Sequence, residues 1–280
     1  MAKQNIDQQK TLAVLGCGNM AQAVLLPLAK LAQSLRPKVF TYTPSNFKAE
    51  DLAQKIQGKS FADIFEIPES DFYLLGMKPQ QFAENSSVLR KVVAQNSVVI
   101  SLLAGTSVSS LQKHLKTKKI IRAMPNTPCI LGQGVVAIFF SQEITEEEKE
   151  FARKLFLPIS LVLEFKEEEK IDQITNITAS GPAYFFEIVR LLSLLGPEKI
   201  GLSKEESQLL VAKTMLGAAH MLLQSGESAE TLRNKVTSKK GVTYEALKVF
   251  ENQNLENIIK EALARSYNRV LELKLESEKN

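Results

Sequence analysis

Cysteine is scarce: Cys17 and Cys129 are the only two in 280 residues, and neither sits in a CxxC pair or in a His/Cys cluster spaced for a metal. That excludes a disulfide framework and a thiolate metal centre, and two free thiols fit a reducing cytoplasm. Histidine is equally rare. His114 lies between Lys113 and Lys116 in a surface-helix pattern and His220 in an apolar one, so neither is the choice for proton transfer. Also missing is any run near the roughly 20 apolar residues that span a bilayer. The polar stretch 1–10 leads us to expect no secretory signal. Lysine and arginine exceed aspartate and glutamate by only 35 to 31, a formal charge of +4 dispersed in short clusters. No basic block marks a nucleic-acid surface. With membrane and nucleic acid set aside, a soluble, cytosolic protein is expected.

What is present is an ordinary globular composition, 44% hydrophobic and 24% charged, in a chain long enough for two domains. From Thr11 to about Phe165, short apolar runs alternate with amphipathic stretches. Candidate strands are 11–15, 38–42, 71–75, 97–102, 119–123, 135–139 and 160–163. Their near-continuous apolar character suits parallel strands covered by helices on both faces. The covering helices are expected to begin near Asn19, Ser45, Pro79, Ser107 and Thr145, where capping residues or a first-turn proline stand. After Glu167 the strand signal stops. The remainder reads as helices broken at Ser180-Gly181-Pro182, Leu195-Gly196-Pro197, Ser225-Gly226 and Lys240-Gly241. Two domains are expected, an α/β domain over 1–166 and an all-α domain over 167–280. The stretch 207–223 is apolar on more than one face, which predicts that a second subunit covers part of it.

Directly after the first strand comes Gly16-Cys17-Gly18-Asn19-Met20-Ala21, a G-x-G-x-x-A turn that should open a helix over 19–35. Gly16 would allow the tight turn, Gly18 the approach of a pyrophosphate to the backbone, and Ala21 close packing of helix on strand. The helix N-terminus, including Asn19 and Met20, would turn its free N–H groups toward the phosphates. Enzymes that use NAD place Asp or Glu after the second strand to hold the ribose 2′-hydroxyl. Here the stretch reads Thr41-Tyr42-Thr43-Pro44-Ser45-Asn46-Phe47-Lys48. Hydroxyls of Thr43 and Ser45 and the Lys48 ammonium suit a 2′-phosphate, so NADPH is the expected cofactor and NADH the less favoured one.

A series of motifs then resembles the pyrroline-5-carboxylate reductases, in the same order and over roughly Thr11 to Ser266. They are the glycine turn, Met77-Lys78-Pro79, Ala104-Gly105, Met124-Pro125-Asn126-Thr127-Pro128, Ser180-Gly181-Pro182-Ala183-Tyr184 and Val236-Thr237-Ser238. The resemblance implies a Rossmann-type α/β N-terminal domain that binds NADP and an all-α C-terminal domain for dimerisation and substrate. It implies reduction of 1-pyrroline-5-carboxylate to L-proline by a homodimer or larger homo-oligomer. By the same resemblance Met77 and Lys78 lie along the ribose and pyrophosphate, and Ala104, Asn126 and Thr127 border the nicotinamide. Ser238, Thr243 and the backbone N–H near Val242 take the substrate carboxylate, and Thr175 stands near the ring nitrogen as the catalytic candidate. Asn126-Thr127 between two prolines is also good turn chemistry, and 242–251 reads as a helix whose start attracts anions.

The pattern is broken at Lys239-Lys240, where the family usually has Pro-Gly. If Lys240 must adopt the positive φ that glycine takes freely, the strain is about 1–2 kcal/mol. The same substitution motivates one alternative, a reductase of another cyclic imine acid; a second, of a different class, is a dinucleotide- or proline-binding protein that keeps the fold without turnover.

Overall fold

The computed structural model describes residues 9–32, 36–195 and 201–279. They form two compact units. One comprises the residues up to Ser180 together with the segment from Ser266 onward; the other is Gly181–Arg265.

The first unit is built on one sheet of eight strands: β1 (Thr11–Leu15), β2 (Lys38–Tyr42), β3 (Lys59–Ser60), β4 (Phe72–Leu75), β5 (Val98–Ser101), β6 (Ile120–Pro125), β7 (Gly134–Phe140) and β8 (Ser160–Phe165). Their order is β3-β2-β1-β4-β5-β6-β7-β8. The first six in sequence thus lie 3-2-1-4-5-6, the order of two mononucleotide-binding halves joined at a switch point between β1 and β4. Alternation of side chains sends Leu12, Val14, Phe72 and Leu74 into the core on one face, and Ala13, Leu15, Tyr73 and Leu75 into the core on the other. Every residue of β4 and β5 is buried. That accounts for the continuous apolar runs.

Three expectations are corrected. The sheet is not wholly parallel, because β7 runs antiparallel to β6. The connection 126–133 is too short for a parallel crossover, which needs about a dozen residues. The helix expected over 19–35 stops early: α1 spans Asn19–Leu25 and gives way to a 3-10 turn at Pro27–Lys30. Pro27 has no N–H for the helical ladder and its ring crowds the preceding turn; residues 33–35 lie outside the described part. The short β3, pairing Lys59 and Ser60 with β2, escaped the periodicity.

The covering helices are α2 (Phe47–Ile56), α3 (Pro79–Val92), α4 (Val108–Leu115) and α5 (Glu146–Phe156). Ser107 and Thr145 cap α4 and α5 as their positions suggested, accepting the N–H groups of Ser110 and Glu148. α6 (Glu169–Thr178) packs on β6 and β7, with Ile171 buried beside Met124 and Ala137. The sheet-bearing unit therefore continues past residue 166 to Ser180. The helical unit holds α7 (Gly181–Leu195), α8 (Lys204–Ser225), α9 (Ala229–Lys235), α10 (Val242–Asn252) and the first part of α11 (Leu255–Lys279), with α7 packed against α8. The break at Gly196-Pro197 lies outside the described residues. Within the described residues no helix is long and apolar enough to cross a membrane.

Candidate dinucleotide and substrate sites

The loops after β1 and β4 meet at the switch point. Gly16 has φ +97°, and a Cβ there would stand 2.6 Å from the Met77 nitrogen. Gly76, just before Met77, is as constrained: a Cβ on it would run into the Gly16 carbonyl and 2.9 Å from the Ala21 Cβ. Gly16 N–H donates to the Tyr42 carbonyl at 2.8 Å and Gly76 N–H to the Leu15 carbonyl at 2.9 Å, locking both turns to the strand ends. Around Gly18 the nearest such obstacle is the Gly76 carbonyl at 3.4 Å. Within the described residues no side chain caps α1, and its first helical bond runs from Gln22 N–H to the Gly18 carbonyl. The N–H groups of Asn19, Met20 and Ala21 are the ones a helix start leaves for an anion. Cys17 points inward instead. Its thiol is buried and donates weakly to the Tyr42 carbonyl at 3.6 Å, and burial pushes its pKa up to about 12. It is no nucleophile.

After β2, Thr43 is half-buried while Ser45 and Lys48 are exposed. Asn46 takes φ +46° and donates its amide to Glu50 at 2.7 Å, while its buried Oδ1 has no hydrogen-bond partner among the described residues. A carboxylate thus stands nearer to this turn than the second-strand stretch suggests, although it is already bonded.

Lys78 sits at the start of α3, its backbone N–H on Gln81 Oε1 at 3.1 Å and its side chain exposed, with Met77 half-buried beside it. Ala104 is half-buried at the end of the β5 loop. Asn126 is buried where β6 ends. Its buried amide donates to the Thr178 carbonyl at 3.0 Å and accepts the Val135 N–H at 2.9 Å. One amide hydrogen and the Oδ1 thus tie the β6–β7 turn to α6, which supports the turn-forming role and leaves the second amide hydrogen for a ligand. Thr127 is exposed at the head of a 3-10 turn, Thr127–Leu131. The Thr175 hydroxyl is buried and donates to the Ile171 carbonyl at 2.6 Å. With the hydroxyl in that orientation a lone pair is left for a ligand.

In the helical unit, residues 236–243 form a turn that opens α10. Gly241 N–H donates to the Ser238 carbonyl at 3.0 Å, and a Cβ at Gly241 would meet the Ser238 hydroxyl. Gly241 is the N-cap, without a side-chain cap among the described residues, so the N–H groups of Val242 and Thr243 face outward beside Ser238. Lys240 does take a positive φ, +56°. Both lysines and Thr243 are exposed, and Val242 is 93% exposed.

Two family models match the chain: NADP oxidoreductase, coenzyme F420-dependent, over residues 11–105, and pyrroline-5-carboxylate reductase dimerisation over residues 168–273. The pyrroline-5-carboxylate reductase of Vibrio alginolyticus is 34% identical over 270 residues, which are 95% of this chain and 98% of that one. The chain belongs to the pyrroline-5-carboxylate reductase family. A solved pyrroline-5-carboxylate reductase, from Coxiella burnetii, matches with a TM-score of 0.82 at 30% identity, over 95% of this chain and 99% of that one. The Plasmodium falciparum pyrroline carboxylate reductase, solved with NADP bound, shares the fold with a TM-score of 0.82 at 24% identity, over 95% and 98% of the two chains.

One feature of this reductase has no counterpart in the sequence reading. Arg122 on β6 is almost wholly buried and pairs with Glu168 at 2.6 Å and Asp172 at 2.8 Å, and Lys274 reaches Asp172 at 3.4 Å. The only hint in the sequence was an arginine inside an otherwise apolar strand.

Proposed function

We propose that the protein reduces 1-pyrroline-5-carboxylate to L-proline with NADPH, as a homodimer or larger homo-oligomer in the cytoplasm. The observation that carries this reading is similarity to pyrroline-5-carboxylate reductases along almost the entire chain. The glycine cradle fits the cofactor independently. Only glycine is tolerated at positions 16 and 76, and the uncapped N–H groups of α1 suit a pyrophosphate held by Gly16, Gly18, Asn19 and Met20. Thr43 and Ser45 take the 2′-phosphate end, Met77 and Lys78 the ribose and pyrophosphate, and Ala104, Asn126 and Thr127 the nicotinamide side. When bound, NADPH supplies the hydride.

The substrate carboxylate goes to Ser238, Thr243 and the Val242 N–H, where the start of α10 favours negative charge. Thr175 then acts as an acceptor. With its own hydrogen on the Ile171 carbonyl, it bonds the N–H of a ring nitrogen already protonated from water, and so selects the iminium. Hydride adds to the ring carbon, the C=N π pair moves onto nitrogen, and the neutral ring amine is left. Orientation supplies the rate, with no general acid required. NADPH oxidation with pyrroline-5-carboxylate, with the six-membered imine acid and with no substrate tests the reading. Fast turnover only with the five-membered acid supports it. Preference for the six-membered ring, for which Lys239-Lys240 would be the cause, or absence of turnover would overturn it.

A further inference from the structure

The loop between β5 and α4 turns at Gly105, whose φ of +65° glycine adopts freely. Its cost lies in the next residue: the Thr106 hydroxyl is fully buried with no hydrogen-bond partner among the described residues. The end of α11, which belongs to the sheet-bearing unit, is packed directly on this loop: a Cβ at Gly105 would lie 2.7 Å from the Leu273 Cβ. The Ser277 hydroxyl reaches the Gly105 carbonyl at 3.0 Å, sharing its hydrogen with the Lys274 carbonyl at 2.9 Å. Ser110 on α4 donates back to the Ser277 carbonyl at 3.1 Å. A second route leads from the same helix turn to the far end of the loop. Lys274 pairs with Asp172, Asp172 with Arg122 and Arg122 with Glu168, and Glu168 accepts the Val108 N–H at 2.8 Å, next to the capping Ser107. Two buried or half-buried cations thus balance two carboxylates. Loss of Lys274 leaves that cluster one positive charge short, a deficit that a buried site tolerates poorly.

We propose that the last turns of α11 brace the loop bearing Ala104, so that Ser277 and Lys274 are positioning residues for hydride transfer although neither is placed at the cofactor. The proposal rests on the reading of Ala104 as a nicotinamide neighbour. It restrains the loop at both ends, at Gly105 and at Val108, which no other described contact does together.

The test uses the full chain, with steady-state constants measured separately for NADPH and pyrroline-5-carboxylate. Ser277→Ala should raise the NADPH KM about threefold and Lys274→Met about tenfold, with the pyrroline-5-carboxylate KM within about twofold of its starting value. Ser277→Thr and Lys274→Arg should restore it, and light scattering should show an unchanged oligomer. An unchanged NADPH KM in both alanine and methionine variants, parallel shifts for both substrates, or loss that follows subunit dissociation would overturn the brace. Should Lys274→Met fail to fold, the Ser277 pair decides alone. Ala104→Leu in the same assay separates the two ideas. If it leaves the NADPH KM unchanged, the loop is not at the cofactor and the reading of Ala104 falls; if it raises that KM while the brace variants do not, only the brace falls.

Discussion

Strands β4 and β5 are buried at every position, whereas α8, a helix with more apolar residues, buries Ser207 alone and leaves Leu209, Leu210, Leu216, Met221, Leu222 and Leu223 exposed. α9 and α10 bury nothing. The sheet finds its partners within its own chain, helices on both faces, and the helical unit does not. So large an apolar face marks an association surface. In a family whose model for this segment is a dimerisation domain, a second copy of the chain is what covers it. The glycine cradle therefore lies in a self-sufficient core, and residues 236–243 lie in a unit that leaves its apolar faces open in a single chain.

The largest expected effect comes from breaking the self-sufficient side at its tightest point. Gly76→Val drives carbon into the Gly16 carbonyl and the Ala21 Cβ, backbone and helix that have nowhere to go. Overpacking of that kind costs about 1–3 kcal/mol or more. Fluorescence titration should show NADPH affinity reduced by about a hundredfold, because the cradle itself is displaced; an unchanged titration would show that the two loops are not coupled.

Next comes the dependent side. Leu216→Glu with Leu222→Glu places charge where a partner's apolar surface is expected, forfeiting roughly 1.5–3 kcal/mol for each leucine. Light scattering should report dissociation into monomers with NADPH affinity nearly intact, since the cradle lies in the other unit. Persistence of the oligomer would locate the interface elsewhere.

A smaller effect probes the substrate loop. Thr243→Val leaves a carboxylate oxygen short of a donor, at about 1–3 kcal/mol. The KM for pyrroline-5-carboxylate should rise about tenfold with kcat little changed, because that bond persists from ground state to transition state. Unchanged constants would remove the loop from the binding site.

The smallest effect belongs to Lys240→Gly. Relief of the positive φ at residue 240 should stabilise by about 1 kcal/mol, seen in calorimetry as a Tm higher by about 2 °C. No rise would mean that the loop carries no strain worth relieving.

Legibility in the sequence followed the same division between local and remote causes. The turn at Gly16, the start of α3 at Pro79 and the caps at Ser107 and Thr145 were readable because each is decided by residues within a few positions. Lys240 was readable for the same reason. The antiparallel β7 needed the length of a connection to be weighed against a strand pattern that looks the same in either direction. Gly76 was passed over because the glycine that makes it necessary stands sixty residues earlier, across the switch point. Arg122 was invisible as an ion-pair centre, its partners lying 46 and 50 residues away. Asn126 was legible as a turn residue, whereas its distant bond to the Thr178 carbonyl was not.

Deuteride transfer tests the central assignment most directly. NADPH carrying deuterium at the reactive nicotinamide carbon, incubated with enzyme and pyrroline-5-carboxylate, should yield L-proline with one deuterium on the former imine carbon, as read by mass spectrometry and NMR. NADPH consumed without labelled proline, or label found only in the six-membered product, would contradict it.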